Sequence, residues 1–282
     1  MTLAASQAIG VFDSGVGGLT VLDECLAALP AEDFVYFGDT AFFPYGDRDA
    51  ADVRRRALAI GRWLVSHDVK LIVVACNTAT AVALASLQRE LETPVIGVIQ
   101  PEVRAAVRTT HNRRVGLLAT EATVRSGSYP RLLHAHDAGV EVTSVACPLL
   151  APAIQSGDPY DDAAVAMVDG YTAPLRAAGV DTVILGCTHF PMIDRMLRRA
   201  LPGVTLIDGG PEIAAEVAAT LGLKGLRRPP GTVGRRRFAC SGDAGAFRAL
   251  AGRFLQMPLD GVETVDPETT SDDDCHGPRT PS

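Results

Sequence analysis

Residues 71–80 read LIVVACNTAT, an apolar run that ends abruptly in a cysteine, an amide and a hydroxyl. A β-branched run without polar alternation is the mark of a strand buried on both faces, as in a parallel sheet. The Ala-rich stretch that follows carries apolar residues at three- and four-residue intervals and reads as a helix over 79–91. Strand, polar tip and helix together make the repeating unit of parallel α/β proteins. Residues 183–189, VILGCTH, repeat the strand and its tip with a second cysteine.

Working outward, the same pattern predicts strands at 8–12, 33–38, 69–75, 95–98, 114–118, 141–146, 182–185, 205–208 and 237–239, with another helix over 52–66. Two half-sized sheets accommodate these strands more easily than one large sheet. The stretch 97–101 is the expected first crossing and the Gly-Gly-Pro turn at 209–211 the expected return. One lobe then comprises 1–98 with 210–258, and the other 99–209. Residues 259–282 close on DPETTSDDDCHGPRTPS, acidic and almost free of apolar side chains, and are expected to be a disordered tail. Cys275 and His276 fall there and are assigned no metal role.

With 282 residues and 47% apolar content, the chain can bury a sizeable core. No apolar run approaches the ~18 residues of a membrane span. Residues 1–7 lack the basic start and apolar stretch of a signal peptide. A cytoplasmic protein without membrane association is expected. A net charge of −7 disfavours nucleic acid as the main partner. The one basic cluster, Arg227, Arg228 and Arg235 to Arg237, surrounds a Pro-Pro-Gly and reads as a solvated loop. The six cysteines contain no CxxC pair and should be free thiols.

Ligands of parallel sheets bind beyond the carboxyl ends of the strands, where following helices present unpaired N–H groups. Cys76 and Cys187 occupy that place, one in each lobe, followed by Asn77-Thr78 and Thr188-His189. Facing lobes would set one thiol on each side of a shared cleft. A thiolate there can take a proton from carbon while the opposing thiol delivers one to the other face, inverting the centre with two bases. A cysteine hydrolase needs a single nucleophile with a His and an oxyanion hole, and leaves a second thiol without a task. Two alternatives stay open on residue types: plain packing, since free Cys behaves as a small hydrophobe, and a zinc site of Cys76, Cys187 and His189. No compact ligand spacing supports the latter.

The first loop, IGVFDSGVGGLTV at 9–21, is a strand, a Gly-rich turn and a helix, but it has neither GxGxxG nor the Walker lysine. Asp13 at the strand tip would repel phosphate. It can instead accept a proton or orient a thiol or amine, with Ser14 donating beside it; the plain alternative is a helix cap. The second loop, YFGDTAFFPYG at 36–46, offers the Tyr45 phenol and the Gly46 amide in a fixed turn. Ser14, Tyr45, Asn77, Thr78 and Thr188 are neutral groups, and no Lys or Arg lies among them. They suit a small zwitterionic or acidic substrate held by hydroxyls, amides and helix N-termini.

FDSGVGGLTV, YFGDTAFFPYG, VVACNTAT and LGCTHFP, in that order, resemble the motifs of the glutamate racemases, and ACP at 146–148 and SGD at 241–243 fit the same pattern. The resemblance implies two flavodoxin-like parallel-sheet α/β domains related by pseudo-twofold symmetry, with the active site in the cleft between them. It implies racemisation of glutamate without cofactor or metal, supplying D-glutamate for peptidoglycan, by a homodimer. By the same resemblance Cys76 deprotonates D-glutamate, assisted by Asp13, and Cys187 deprotonates L-glutamate, assisted by His189. Ser14, Tyr45, Gly46, Asn77, Thr78 and Thr188 match positions that hold the substrate, with Thr120 and Thr123 nearby. One departure stands out: Gln155 occupies a position where the family usually has a glutamate. An amide stabilises an imidazolium less than a carboxylate does, so His189 should titrate lower, shifting the pH profile or directional balance while racemisation is retained. The alternatives are an aspartate or other amino-acid racemase of the superfamily, or a catalytically silent binding protein. A pyridoxal enzyme is disfavoured, because no lysine lies in any of these motifs.

Overall fold

The computed structural model describes residues 3–156, 161–255, 259 and 261–269. Its strands are β1 Ala8–Asp13, β2 Phe34–Gly38, β3 Val69–Val74, β4 Val95–Gly97, β5 Arg114–Ala119, β6 Glu141–Ala146, β7 Thr182–Gly186, β8 Thr205–Ile207, β9 Arg236–Cys240 and β10 Val262–Thr264. They form two sheets, ordered β10-β9-β2-β1-β3-β4 and β6-β5-β7-β8, in which every pairing is parallel. The order β6-β5-β7-β8 repeats β2-β1-β3-β4, so β5 answers to β1 and β7 to β3. In this order the crossovers diverge between the first and third strands, and that switch point is where a ligand crevice opens. Asp13 ends β1 and Cys76 lies just past β3; Thr120 and Cys187 hold the equivalent places past β5 and β7.

Alternate strand residues serve opposite faces. Ile9 and Val11 of β1 and Leu71 and Val73 of β3 join Val115, Leu117 and Ile184 of the other sheet in one continuous core. The helices Leu19–Ala28, Ile99–Thr109 and Gly209–Lys224 contribute to it from both sides of the crossing. On the outer faces, Phe12, Ile72 and Val74 pack with the helices Ala50–Ser66 and Asn77–Glu90. Leu118, Val183 and Leu185 pack with Asp162–Ala178 and Asp194–Ala200. Burial on both faces explains the uninterrupted apolar runs. The shared core gives the two sets of strand tips a common foundation.

Two expectations require correction. The stretch from residue 259 is structured as far as it is described: β10 pairs with β9 from Val262↔Phe238 to Thr264↔Cys240, and Pro267 is buried. Asp266 and Glu268 form ion pairs with Arg56, and Glu268 also with Arg55. Cys275 and His276 lie outside the described residues. In the basic cluster, Arg228 is half-buried, pairing with Asp33 at 2.7 Å and donating to the Ser6 carbonyl at 3.1 Å. Only Arg227 and Arg235 to Arg237 are exposed. Among the described residues, no helix is long and apolar enough to cross a membrane. The five described cysteines are buried free thiols.

Candidate active site

The strand tips of both sheets converge on one small pocket. Ser14, Tyr45, Gly46, Cys76, Asn77 and Thr78 line it from the first sheet's side, and Cys187, Thr188 and His189 from the second. Phe43, Pro44, Thr120 and Ala151 complete the lining. Asp13 stands directly behind this wall, fully buried.

Cys76 is the N-cap of the helix Asn77–Glu90, and its Sγ accepts the Ala79 N–H at 3.4 Å. The same sulfur donates toward Ser14 Oγ at 3.7 Å. Asp13 Oδ2 accepts the N–H groups of Gly15 at 3.1 Å and Gly18 at 3.0 Å. Its Oδ1 accepts the Thr188 hydroxyl at 3.4 Å, a bond that crosses between the sheets. Burial raises the Asp13 carboxyl above its usual range, against the lowering influence of those N–H donors. Burial first, and the neighbouring Asp13 second, push the Cys76 thiol up to about 12. The Gly-rich turn has a packing reason. A Cβ on Gly17 would lie 2.4 Å from His189 Nδ1 and 2.5 Å from Thr188 Oγ1, so only glycine lets this loop meet the opposite strand tip.

The Cys187 side is built differently from the symmetry that the sequence suggested. No α-helix N-terminus follows directly; Phe190–Ile193 is a 3₁₀ turn, and the helix Asp194–Ala200 begins after it. Pro191 lies in the first turn of that segment, where its missing N–H leaves no intrahelical bond unmade. His189 takes the helix's place. Its backbone N–H bonds to Cys187, and its Nδ1 lies 3.9 Å from Cys187 Sγ. Its ring lies against Phe43, with centroids 5.4 Å apart, and meets Phe254 edge-on at 5.7 Å. His189 Nε2 is 3.0 Å from Gln155 Oε1. An amide oxygen there requires the proton on Nε2, which leaves Nδ1 as an acceptor facing the thiol. Burial lowers the imidazole to about 4, keeping it neutral. Burial also pushes the Cys187 thiol well above its usual value, with Cys76 and Asp13 adding to the effect.

The polar walls bring together most of the predicted hydroxyls. Thr78, Thr120 and Thr123 place their Oγ1 atoms 2.8, 2.9 and 3.2 Å apart, linking the two sheets' loops. A Cβ on Gly46 would come within 2.8 Å of Thr120 Cβ, so the turn Tyr45–Asp47 abuts the same loop. Two side chains point elsewhere than expected. Tyr45 Oη donates to Asp39 Oδ2 at 2.6 Å, so its ring lines the pocket while its hydroxyl faces away. Asn77 Nδ2 donates to the Glu102 carboxylate at 3.1 and 3.2 Å and to Tyr129 Oη at 2.8 Å.

Sequence reasoning missed Asp39, Arg56, Glu102, Tyr129 and Phe254. Asp39 sits past the end of β2 and was accessible to the strand-tip rule applied to the cysteines. Arg56 and Glu102 carried a different signal, a charge on the apolar face of an amphipathic helix: Val53, Ala57 and Ile60 flank the first, and Ile99, Val103 and Ala106 the second. Nothing local distinguishes Phe254 from a core residue.

Residues 9–217 match the family described as Asp/Glu/Hydantoin racemase. A glutamate racemase of Geobacter metallireducens is 44% identical over 260 residues, spanning 92% of this chain and 96% of its own length. A glutamate racemase isoform of Bacillus anthracis has a solved structure with a TM-score of 0.89 at 37% identity, covering 92% of this chain and 97% of that one. The Francisella tularensis glutamate racemase, solved in complex with D-glutamate, gives a TM-score of 0.89 at 32% identity over 94% of this chain and 99% of that one.

Proposed function

The chain belongs to the Asp/Glu/Hydantoin racemase family, and on that premise we propose that it interconverts L- and D-glutamate by proton transfer between Cys76 and Cys187 at Cα, without a cofactor. The observation that carries this reading is the pair of buried thiols at equivalent strand tips on one pocket, Cys76 within the electrostatic influence of Asp13 and Cys187 Sγ 3.9 Å from His189 Nδ1. Asp13 serves Cys76, and the Nδ1 lone pair of His189 serves Cys187. Ser14, Thr78, Thr188 and the helix N-terminus at Asn77 hold the carboxylates, and the turn of Tyr45 and Gly46 closes over them. Asn77 acts from its place in that turn of helix.

Without substrate, both thiols are protonated at neutral pH. A bound amino acid brings an ammonium group between them. At ~4 Å and an effective dielectric of ~20 its attraction for a thiolate is about 4 kcal/mol, or about 3 pK units. A thiol at about 12 is thereby brought to within reach of transfer to its partner base. The thiolate on one face then removes the Cα proton, and the thiol on the other face delivers its own. Each turnover leaves the opposite cysteine charged, ready for the reverse direction.

Supply of D-glutamate for peptidoglycan, a cytoplasmic setting and a homodimer belong to the same proposal, as do lobes divided at 98–99 and 209–210, a division that rests on the strand pattern and its two crossing turns. The test is the optical activity of L- and D-glutamate and of L- and D-aspartate incubated with the purified protein under reducing conditions. Loss of rotation from both glutamate enantiomers, with aspartate unchanged, is the expected result. Loss from aspartate alone would make the substrate wrong, and no change in either would favour a silent binding protein.

A further inference from the structure

Tyr45 and Gly46 line the pocket, yet the Tyr45 hydroxyl is spent on a group outside it. Its acceptor, Asp39, is fully buried and also takes a two-pronged contact from Arg56: Nη2 to Oδ1 at 2.6 Å and Nε to Oδ2 at 3.1 Å. A fork of this kind fixes orientation as well as charge. The remaining guanidinium nitrogen, Nη1, faces Asp266 Oδ1 at 3.3 Å and Glu268 Oε2 at 3.4 Å. Glu268 Oε1 also accepts from Arg55 Nε at 2.9 Å. The guanidinium of Arg56 lies 5.1 Å from the centre of the Phe42 ring, which meets the Tyr45 ring edge-on at 6.4 Å.

The segment that supplies Asp266 and Glu268 is anchored. Val265 N–H bonds to the Cys240 carbonyl at 2.9 Å, extending the β9–β10 pairing, and a single turn then closes on Asp266, whose Oδ1 accepts the Glu268 N–H at 3.1 Å and whose carbonyl accepts the Thr269 N–H at 3.2 Å. The sequence reads this stretch as a disordered acidic tail, but the carboxylates of Asp266 and Glu268 reach the buried arginine that holds the pocket turn.

We infer that Asp39 and Arg56 are positioning residues for the pocket turn at 44–46, and that the segment 265–268 is a strap that completes them. This rests on the proposed function in one respect, that Tyr45 and Gly46 touch the substrate. The strap neutralises Arg56 on the side away from Asp39, which leaves the fork committed to Asp39 and the Tyr45 hydroxyl held. Loosening either end lets the turn swing from Thr120 and opens the pocket beside Cys76. The effect falls on binding, because neither Asp39 nor Arg56 lines the pocket.

Two variants test this in the full-length chain. Arg56→Lys keeps the charge and loses the fork; the double substitution Asp266→Asn with Glu268→Gln keeps shape and loses the strap's charge. The expected result is a KM for glutamate raised about tenfold by the first and about threefold by the second, with kcat within about twofold. A second readout does not depend on the substrate: alkylation of Cys76 by iodoacetamide, followed by peptide mass spectrometry, with Cys25 as an internal reference. Cys25 is buried in the first core, so general loosening would speed both cysteines, whereas a loosened turn speeds Cys76 alone. Faster Cys76 alkylation without glutamate turnover in the parent protein would sink the proposed function and leave the strap standing. Parental KM and parental Cys76 alkylation in the double variant would overturn the strap itself. Should Arg56→Lys fail to fold, the double variant still decides.

Discussion

Replacing Gln155 with glutamate puts a carboxylate where an amide now meets His189. The contact is short, 3.0 Å from Nε2 to Oε1, and the ring is buried. Charge centres ~4 Å apart at an effective dielectric of ~20 attract by about 4 kcal/mol, or about 3 pK units. The imidazole, now held at about 4 by burial, would rise to ~7 beside the carboxylate. The new carboxylate is itself desolvated, so the pair titrates together and its apparent value lies nearer ~6 to 7. The parent enzyme should show no ionisation of His189 above pH ~5. The Gln155→Glu variant should gain one between pH ~6 and ~7, because an imidazolium beside Cys187 favours its thiolate below that value. Enantiomers have equal free energy in water, so kcat/KM must change equally in both directions. Any directional effect appears only as kcat and KM changing together, in proportion, in one direction more than in the other. The assay is circular dichroism of initial rates from each enantiomer between pH 5 and 9. Superimposable profiles for parent and variant, in both directions, would refute the reasoning.

Three further outcomes follow from the same geometry. Asp13→Asn removes the carboxylate behind Cys76 while keeping its size, so kcat should fall by about 10² to 10³ with a folded chain, measured by steady-state racemisation and far-UV dichroism. Gly17→Ala drives a Cβ into His189 and Thr188, which should destabilise by about 1–3 kcal/mol and lower kcat at least ~10-fold; urea unfolding and rates together check it. Burial raises Glu102 to about 8 from an ordinary 4.5, so the folded chain holds a proton there that the unfolded chain releases in between. Stability should therefore fall as pH rises through that window, and Glu102→Gln should flatten the fall. Parallel melting curves for parent and variant from pH 5 to 8 would count against that assignment.

The parallel strands and both cysteines were legible because burial on two faces demands an unbroken apolar run, and the polar tip where it stops is the end that faces ligand. The strand β10 was not legible: Val-Glu-Thr at a sheet edge is too short to show a period, and its partner β9 fixes it from a distance. The residues singled out at the strand tips line one pocket, whereas the directions of their side chains depended on partners far along the chain. Asn77 turns to Glu102 and Tyr129, 25 and 52 positions away, and Tyr45 to an aspartate held by Arg56. The near-symmetry of the two cysteines was visible, but its breaking by the 3₁₀ turn after Cys187, and the substitution of His189 for a helix N-terminus, emerged only with the backbone.

The most direct test of the central claim is the initial rate of loss of optical activity from each glutamate enantiomer, compared among the parent, Cys76→Ser and Cys187→Ser proteins under reducing conditions. Two thiols acting from opposite faces require that either substitution slow racemisation from both enantiomers by at least ~10²-fold. A variant that racemises either enantiomer within about tenfold of the parent rate would contradict a two-thiol transfer.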